Sequence, residues 1–287
     1  MRGFAVTAAL LWLALPAGAA DGFRFRLLDA DSLELSEDGK PVFVYNHGMV
    51  LRNGAPEDRR RSSYLHPVYA PDGTVVTDDF PRDHWHHRGI FWAWPVVTVN
   101  GERRDGWLLK GAGQRFERWI AREAARDSAR LAVENGWYSG QTRLVKETVE
   151  IVVRPASGGR RELSFSLTFE AAGAAVELVG EPSQNKGYGG FSVRFAPREG
   201  TVIRTDQGVE ERDTDMVPHP WAELEGAFAG RRASLRIDID KDNPGYPNGW
   251  CLRRYGFLGV NYPGRVPALL KPGTPLRMKY RVTVTSK

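Results

Sequence analysis

Apolar and polar residues alternate with a period of two along much of this chain. Leu163, Phe165, Leu167 and Phe169 are separated by Ser164, Ser166 and Thr168. The pattern recurs at Phe191, Val193 and Phe195, at Leu235, Ile237 and Ile239, and at Met278, Tyr280, Val282 and Val284. Phe23, Phe25 and Leu27 alternate with Arg24 and Arg26 in the same way. Such alternation turns one face of a strand to a core and the other to water, which is the mark of antiparallel sheets. Turn-forming runs punctuate the pattern: Pro71-Asp72-Gly73, Asn100-Gly101, Gly158-Gly159 and Asn243-Pro244-Gly245. The one stretch that reads as a helix is short, Ala121 to Arg130. Many strands and little helix predict an all-β fold, an antiparallel two-sheet β-sandwich with long loops over 46–66 and 204–232.

The first residues break this pattern. Arg2 is followed by an apolar run from Phe4 to Leu15, then Pro16 and the small residues Ala17-Gly18-Ala19-Ala20. A charged start, a short apolar run and a small-residue end predict a signal peptide over 1–20. The run is shorter than the roughly 20 residues a membrane span requires. On that reading residues 21–287 form a single β-sandwich domain in the periplasm or outside the cell. The lone Cys251 excludes an intramolecular disulfide framework and is expected to be buried and inert. The net charge of +5 is small, and Arg59-Arg60-Arg61 follow directly on Glu57-Asp58. That mixture is a solvated face; no nucleic-acid partner and no membrane span are expected.

Chemistry concentrates in one segment. Of the six histidines, five lie between His47 and His87, and three fall within Asp83-His84-Trp85-His86-His87-Arg88-Gly89. Three readings are open. His66, His84, His86 and His87 are candidates for proton transfer, histidine being the side chain whose ordinary pKa lies nearest neutrality. The same residues with Asp83 offer ligands for a metal, which would make the protein a histidine-ligated metalloenzyme. Alternatively, they are polar loop residues bonded to backbone. An extended 83–88 segment would set His86 and His87 on opposite sides, so no metal and no cofactor are expected.

Aromatic residues surround the cluster. Tyr64, Trp85 and Trp107 could stack on a sugar ring, with Trp85 the better platform, whereas Trp92 and Trp94 read as core. Arg88 and Arg194 could orient the sugar or neutralise a carboxylate on it. The expected partner is therefore a carbohydrate. The expected activity is histidine acid/base chemistry on a sugar or sugar acid, with epimerase, lyase and hydrolase all open. A non-catalytic carbohydrate-binding protein would use the same groove.

Four motifs carry a resemblance: His66-Pro67 with Pro71-Asp72-Gly73; Asp83-His84 with His86-His87-Arg88-Gly89; Gly189-Gly190 through Arg194; and Asp242-Asn243-Pro244 through Trp250. Together they resemble the PmoA-like family, which carries a "methane oxygenase" label. Trp85 stands where that family often has proline. The oxygenase label implies an integral membrane protein, which a chain without a span does not match. More loosely, the chain looks like the aldose-epimerase, or galactose-mutarotase, type of β-sandwich. That likeness implies a mutarotase-like supersandwich in which a histidine acid works with a glutamate base. It makes Glu147 and Asp83 the carboxylates to examine.

Overall fold

The computed structural model describes residues 22–287, so the expected signal peptide over 1–20 lies outside the described residues. Two nine-stranded sheets form the body, and every strand pairing is antiparallel. The first, here the site sheet, runs in the order Phe23–Leu27, Ser32–Glu37, Lys40–Asn46, Tyr64–Val68, Ile90–Ala93, Gly190–Arg194, Phe257–Asn261, Gly249–Arg253 and Thr214–Pro218. The second, the back sheet, is built on long strands, among them Gly113–Ala124, Ala129–Ser139, Thr142–Val153, Arg160–Ala171, Arg231–Ile239 and Leu276–Ser286. A four-stranded sheet joins Val96–Val99 and Glu102–Arg104 to Val176–Val179 and Ala268–Leu270.

The alternation seen in the sequence decides which side chains meet between the sheets. Leu163, Phe165, Leu167 and Phe169 are buried, as are Met278, Tyr280, Val282 and Val284 on the strand paired with them. From the site sheet Leu65, Ile90, Trp92, Phe191, Val193, Trp250, Leu252, Leu258 and Val260 enter the same cluster. Trp92 and Trp94 are core residues, in keeping with the sequence reading. Phe23 is buried but Leu27 is 53% exposed, because this strand lies at the edge of its sheet, where burial lapses along its length.

Two expectations are corrected. Residues 121–130 are not a helix: Gly113–Ala124 and Ala129–Ser139 form a hairpin that turns between Ala125 and Ser128. The alanines favour helix, but pairing of Trp119 and Arg122 with Val133 and Leu131 outweighs that local preference. The span 204–232 is likewise not mainly loop, since it contains Thr214–Pro218 and Trp221–Phe228. By contrast, Asn100-Gly101 makes the hairpin turn its sequence indicates, with φ of 52° and 78°.

Candidate functional site

The outer face of the site sheet is not solvated in the ordinary way. Residues that alternate with the core set point outward there: Tyr64 on one strand, Phe91 and Ala93 on the next, Cys251 and Phe257 further along. Together with Trp107 they form a second buried apolar cluster. Loops fold over this cluster and leave a pocket of about 310 Å³. It is lined by His84, His86 and His87, by Trp107 and Tyr188, and by Lys186, Cys251, Arg253, Tyr255 and Phe257.

Segment 81–88 is two successive turns, not an extended strand mouth. His84 N–H donates to Pro81 O at 3.0 Å, and His87 N–H donates to His84 O at 2.9 Å. The expected opposition of His86 and His87 therefore fails, and the three rings converge. His84 and His87 stack with centroids 4.6 Å apart and planes 8° from parallel. His86 stands edge-on to His87 at 4.6 Å and to His84 at 5.6 Å. Tyr255 lies nearly parallel to both rings, 5.1 Å from His84 and 6.5 Å from His87, and Phe257 packs 4.8 Å from His87.

The three histidines differ electrostatically. Burial, helped by the positive groups around it, lowers the His86 pKa to about 3. Burial also takes His87 well below its ordinary value, and the neighbouring His86 and His84 add to the shift. Both rings are neutral at physiological pH. His84 is the exposed member, its side chain 34% accessible, with Nδ1 lying 2.9 Å from Asp83 Oδ2. Arg194 Nη2 donates to both Asp83 oxygens at 2.9 Å. Although its partial burial opposes ionisation, Asp83 is held below the usual carboxylate range by His84 and Arg194. An ionised carboxylate thus lies against one ring nitrogen of His84, as a close charge contact and not an aligned hydrogen bond.

Arg88 lies beneath this turn, not in the pocket. Its side chain is fully buried, which overturns the expectation that it orients a sugar. Its Nη1 donates to the carbonyls of Trp85 at 2.8 Å and His87 at 2.7 Å, and its Nη2 to that of Arg59 at 2.5 Å. The guanidinium stacks 3.4 Å over the Phe80 ring, with Nε 3.5 Å from Asp79 Oδ1. Asp79 also accepts from the Tyr64 hydroxyl at 2.9 Å. Burial raises the Asp79 pKa to about 6 against the opposing pull of Arg88. Arg88 is a positioning residue that ties the histidine turn to the sheet.

Other sequence candidates also lie elsewhere. Tyr64 is sealed under the loops and committed to Asp79, so it offers no stacking face. Trp85 packs against the separate cluster of Val50, Ala55 and Phe80, because the turn directs it away from the pocket. His66 shares the outer face but bonds Thr77 Oγ1 at 3.1 Å, and burial lowers its pKa to about 3. Arg194 serves Asp83, not the open pocket. Trp107 is the aromatic candidate that lines the pocket. Tyr188, Tyr255, Lys186 and Arg253 were not selected from sequence; the glycine-rich 186–190 run and the Arg253-Arg254-Tyr255 run were the available signals. Burial first, and then nearby carboxylates, raise the Tyr188 pKa to about 12, so it is a protonated hydroxyl that can donate.

Glu147 is corrected most sharply. It sits on Thr142–Val153 of the back sheet, fully buried, and accepts from Trp137 Nε1 at 2.6 Å and Asn135 Nδ2 at 2.8 Å. It does not line the pocket. Glu147→Gln is expected to leave ligand turnover within about two-fold of the parent, because the residue lies outside the pocket. It should cost about 1–3 kcal/mol of stability, as the new amide turns donors toward one of the two N–H groups. Denaturant titration together with a turnover assay checks both; a hundred-fold loss of turnover at unchanged stability would restore Glu147 as a catalytic candidate.

Among the described residues, no group of three or more His, Cys, Asp and Glu side chains is arranged to hold a metal ion. Stacked rings such as His84 and His87 direct their in-plane lone pairs side by side, not toward one point. Cys251 lies in the pocket lining with its thiol raised to about 12 by burial, against the charges of Arg253 and Lys186. It stays a protonated thiol.

The buried histidines set an acid limit on folding. In the unfolded chain each would take a proton near 6.5, while in the folded protein His66 and His86 do so only near 3 and His87 well below its ordinary value. Asp79 acts oppositely, holding a folded-state proton from about 6 down to its ordinary 3.8. Between pH 6 and about 4.5 these four groups give a net uptake of roughly two protons on unfolding. Stability is therefore complete above pH 6.5 and falls with acid, by about 1.4 kcal/mol per pH unit for each net proton. Urea titrations at half-unit intervals from pH 7 to 4.5 measure the slope. A flat midpoint would show that the histidines charge inside the folded protein.

Comparison with known proteins places the chain as follows. The model of a "Family of unknown function (DUF6807)" matches residues 32–287. No curated protein matches the sequence. A galactose mutarotase related enzyme from Lactobacillus acidophilus aligns at 8% identity, covering 92% of this chain and 97% of that one, with a TM-score of 0.40. A GalM/aldose epimerase homologue from C. elegans aligns at 6% identity over 93% and 99% of the two chains, with a TM-score of 0.37. Heparan sulfate lyase HepC from Pedobacter heparinus aligns at 8% identity over 93% of this chain and 36% of its own, with a TM-score of 0.39. The resemblance to the PmoA-like family has no counterpart among these matches. No helix among the described residues is long and apolar enough to cross a membrane.

Proposed function

The chain belongs to the DUF6807 family, and from that premise we propose that it is an exported carbohydrate-active enzyme that moves a proton on a sugar, with His84 as the acid or base. The observation that supports this reading most is the Arg194–Asp83–His84 chain ending at an open pocket. A carboxylate on one imidazole nitrogen leaves the opposite edge of the ring to exchange a proton with a ligand. The neutral His86 and His87 beside it place no competing positive charge against the ring. Trp107 at the pocket base and the hydroxyls of Tyr188 and Tyr255 suit a sugar, whose C–H face stacks while its hydroxyls take hydrogen bonds.

The test is a panel of reducing sugars, sugar acids and their glycosides, incubated with the protein in deuterated buffer and followed by NMR. Anomeric exchange, deuterium incorporation at carbon, or a new product that depends on His84 supports the enzyme and distinguishes mutarotation, epimerisation, elimination and hydrolysis. Binding without any chemical change would favour the non-catalytic carbohydrate-binding protein, for which the aromatic lining alone suffices. The charged start and apolar run of residues 1–20 support export, and a mature N-terminus at Asp21 checks it.

A further inference from the structure

The charges around the pocket are unbalanced. Its lining contains two permanent cations, Lys186 and Arg253, and no carboxylate. The carboxylate nearest the histidines, Asp83, is occupied by Arg194 and His84. Asp215, outside the lining, is a long ion-pair partner of Arg253 Nη2 at 3.7 Å and divides its single charge with Arg265 at 3.3 Å, leaving the two arginines and Lys186 in excess. Arg253 Nη1 is anchored on the carbonyls of Thr214 at 2.5 Å and Leu252 at 3.2 Å, so its guanidinium is held in place before any ligand arrives. Lys186 has Gln184 as its hydrogen-bond partner, at 3.1 Å, and is exposed at the pocket edge. The neutral His86 and His87 cannot supply a counter-charge.

We propose that Lys186 and Arg253 form an anion subsite that selects sugars bearing an acidic substituent, a carboxylate or a sulfate ester. This rests on the reading of the pocket as a sugar site and narrows its substrate class. Lys186 supplies a mobile point charge and Arg253 a fixed planar fork, a pairing suited to a group with two or three equivalent oxygens. The substituent sits against Lys186 and Arg253, and the ring then lies between them and the histidine turn.

Calorimetric titration with glucuronate, glucose 6-sulfate and glucose is the experiment, run on the parent protein, Lys186→Ala, Arg253→Gln and His84→Ala. At least one acidic sugar is expected to bind roughly ten-fold or more tighter than glucose, the preference shrinking with added salt. Whichever acid binds more tightly identifies the substituent. Lys186→Ala and Arg253→Gln should erase most of the preference, while His84→Ala retains it. Equal affinity for glucose and both acids, no binding of either acid, or a preference that survives in both cation variants would overturn the subsite. Turnover of a neutral sugar without acid preference would sink this inference and leave the proposed function standing. Acid preference without turnover of any sugar would do the reverse.

Discussion

Replacing Arg88 with methionine is expected to destabilise the protein by about 3–5 kcal/mol, lowering its melting temperature on the order of 10 °C. The side chain is fully buried, and three loop carbonyls, the Phe80 ring and the Asp79 carboxylate depend on it. Methionine fills much of the volume but leaves Asp79 as an uncompensated buried charge. Asp79 would then hold its proton to higher pH, so the loss should be smaller in mild acid than above neutrality. Adding Asp79→Asn removes the orphaned charge while keeping an acceptor for Tyr64, and should recover part of the stability. Thermal and denaturant unfolding of the single and double variants decide it. If the double variant is as unstable as the sum of the two single changes, the pair is not coupled, and the account of how the histidine turn is held is wrong.

His84→Ala should have a contrasting effect: a 10²- to 10⁴-fold loss of kcat/KM on whatever sugar is turned over, with little change in stability. Its ring is part of a stack but a third exposed, and its backbone rather than its side chain makes the turn. Asp83→Asn should also weaken turnover, because Arg194 claims the amide oxygen and leaves the NH2 group, not a negative charge, facing His84 Nδ1. His84→Gln provides a second variant that keeps a polar side chain of similar reach. Rates within ten-fold of the parent in both His84 variants would remove His84 from the chemistry.

How far the sequence foretold this site differs by element. Strands announced themselves because each has one wet and one dry face, and Arg160–Ala171 shows that pattern residue by residue. Composition marks the histidine segment, but an extended reading of it does not match the turns it forms. Pro81 and Asp83 are turn formers, and the three-residue spacing of His84 and His87 fits successive four-residue turns, so a signal for convergence was present. Arg88 and Glu147 could not be judged locally, since a charge in the sequence does not say whether the fold will bury it. The cationic side was beyond local reading for another reason. Gly190–Arg194, Phe257–Asn261 and Gly249–Arg253 line up beside Ile90–Ala93 in an order that is not the order of the chain. Only that strand order brings Lys186 and Arg253 beside histidines that lie about 100 and about 165 positions earlier in the chain.

That same arrangement divides the pocket into parts drawn from separate stretches of the chain. The histidines come from one short turn, locked from below by an arginine that no ligand touches. The facing side chains come from segments near 107, 186–188 and 251–257, which carry none of the turn's anchoring bonds. Substitutions at Lys186, Tyr188 and Arg253 therefore leave the turn's anchoring bonds in place, whereas Tyr255 and Phe257 pack on the His84 and His87 rings and do not share that freedom. On the proposed reading, exchanging Lys186, Tyr188 and Arg253 between homologues would change ligand preference while the histidine turn stays fixed by Arg88.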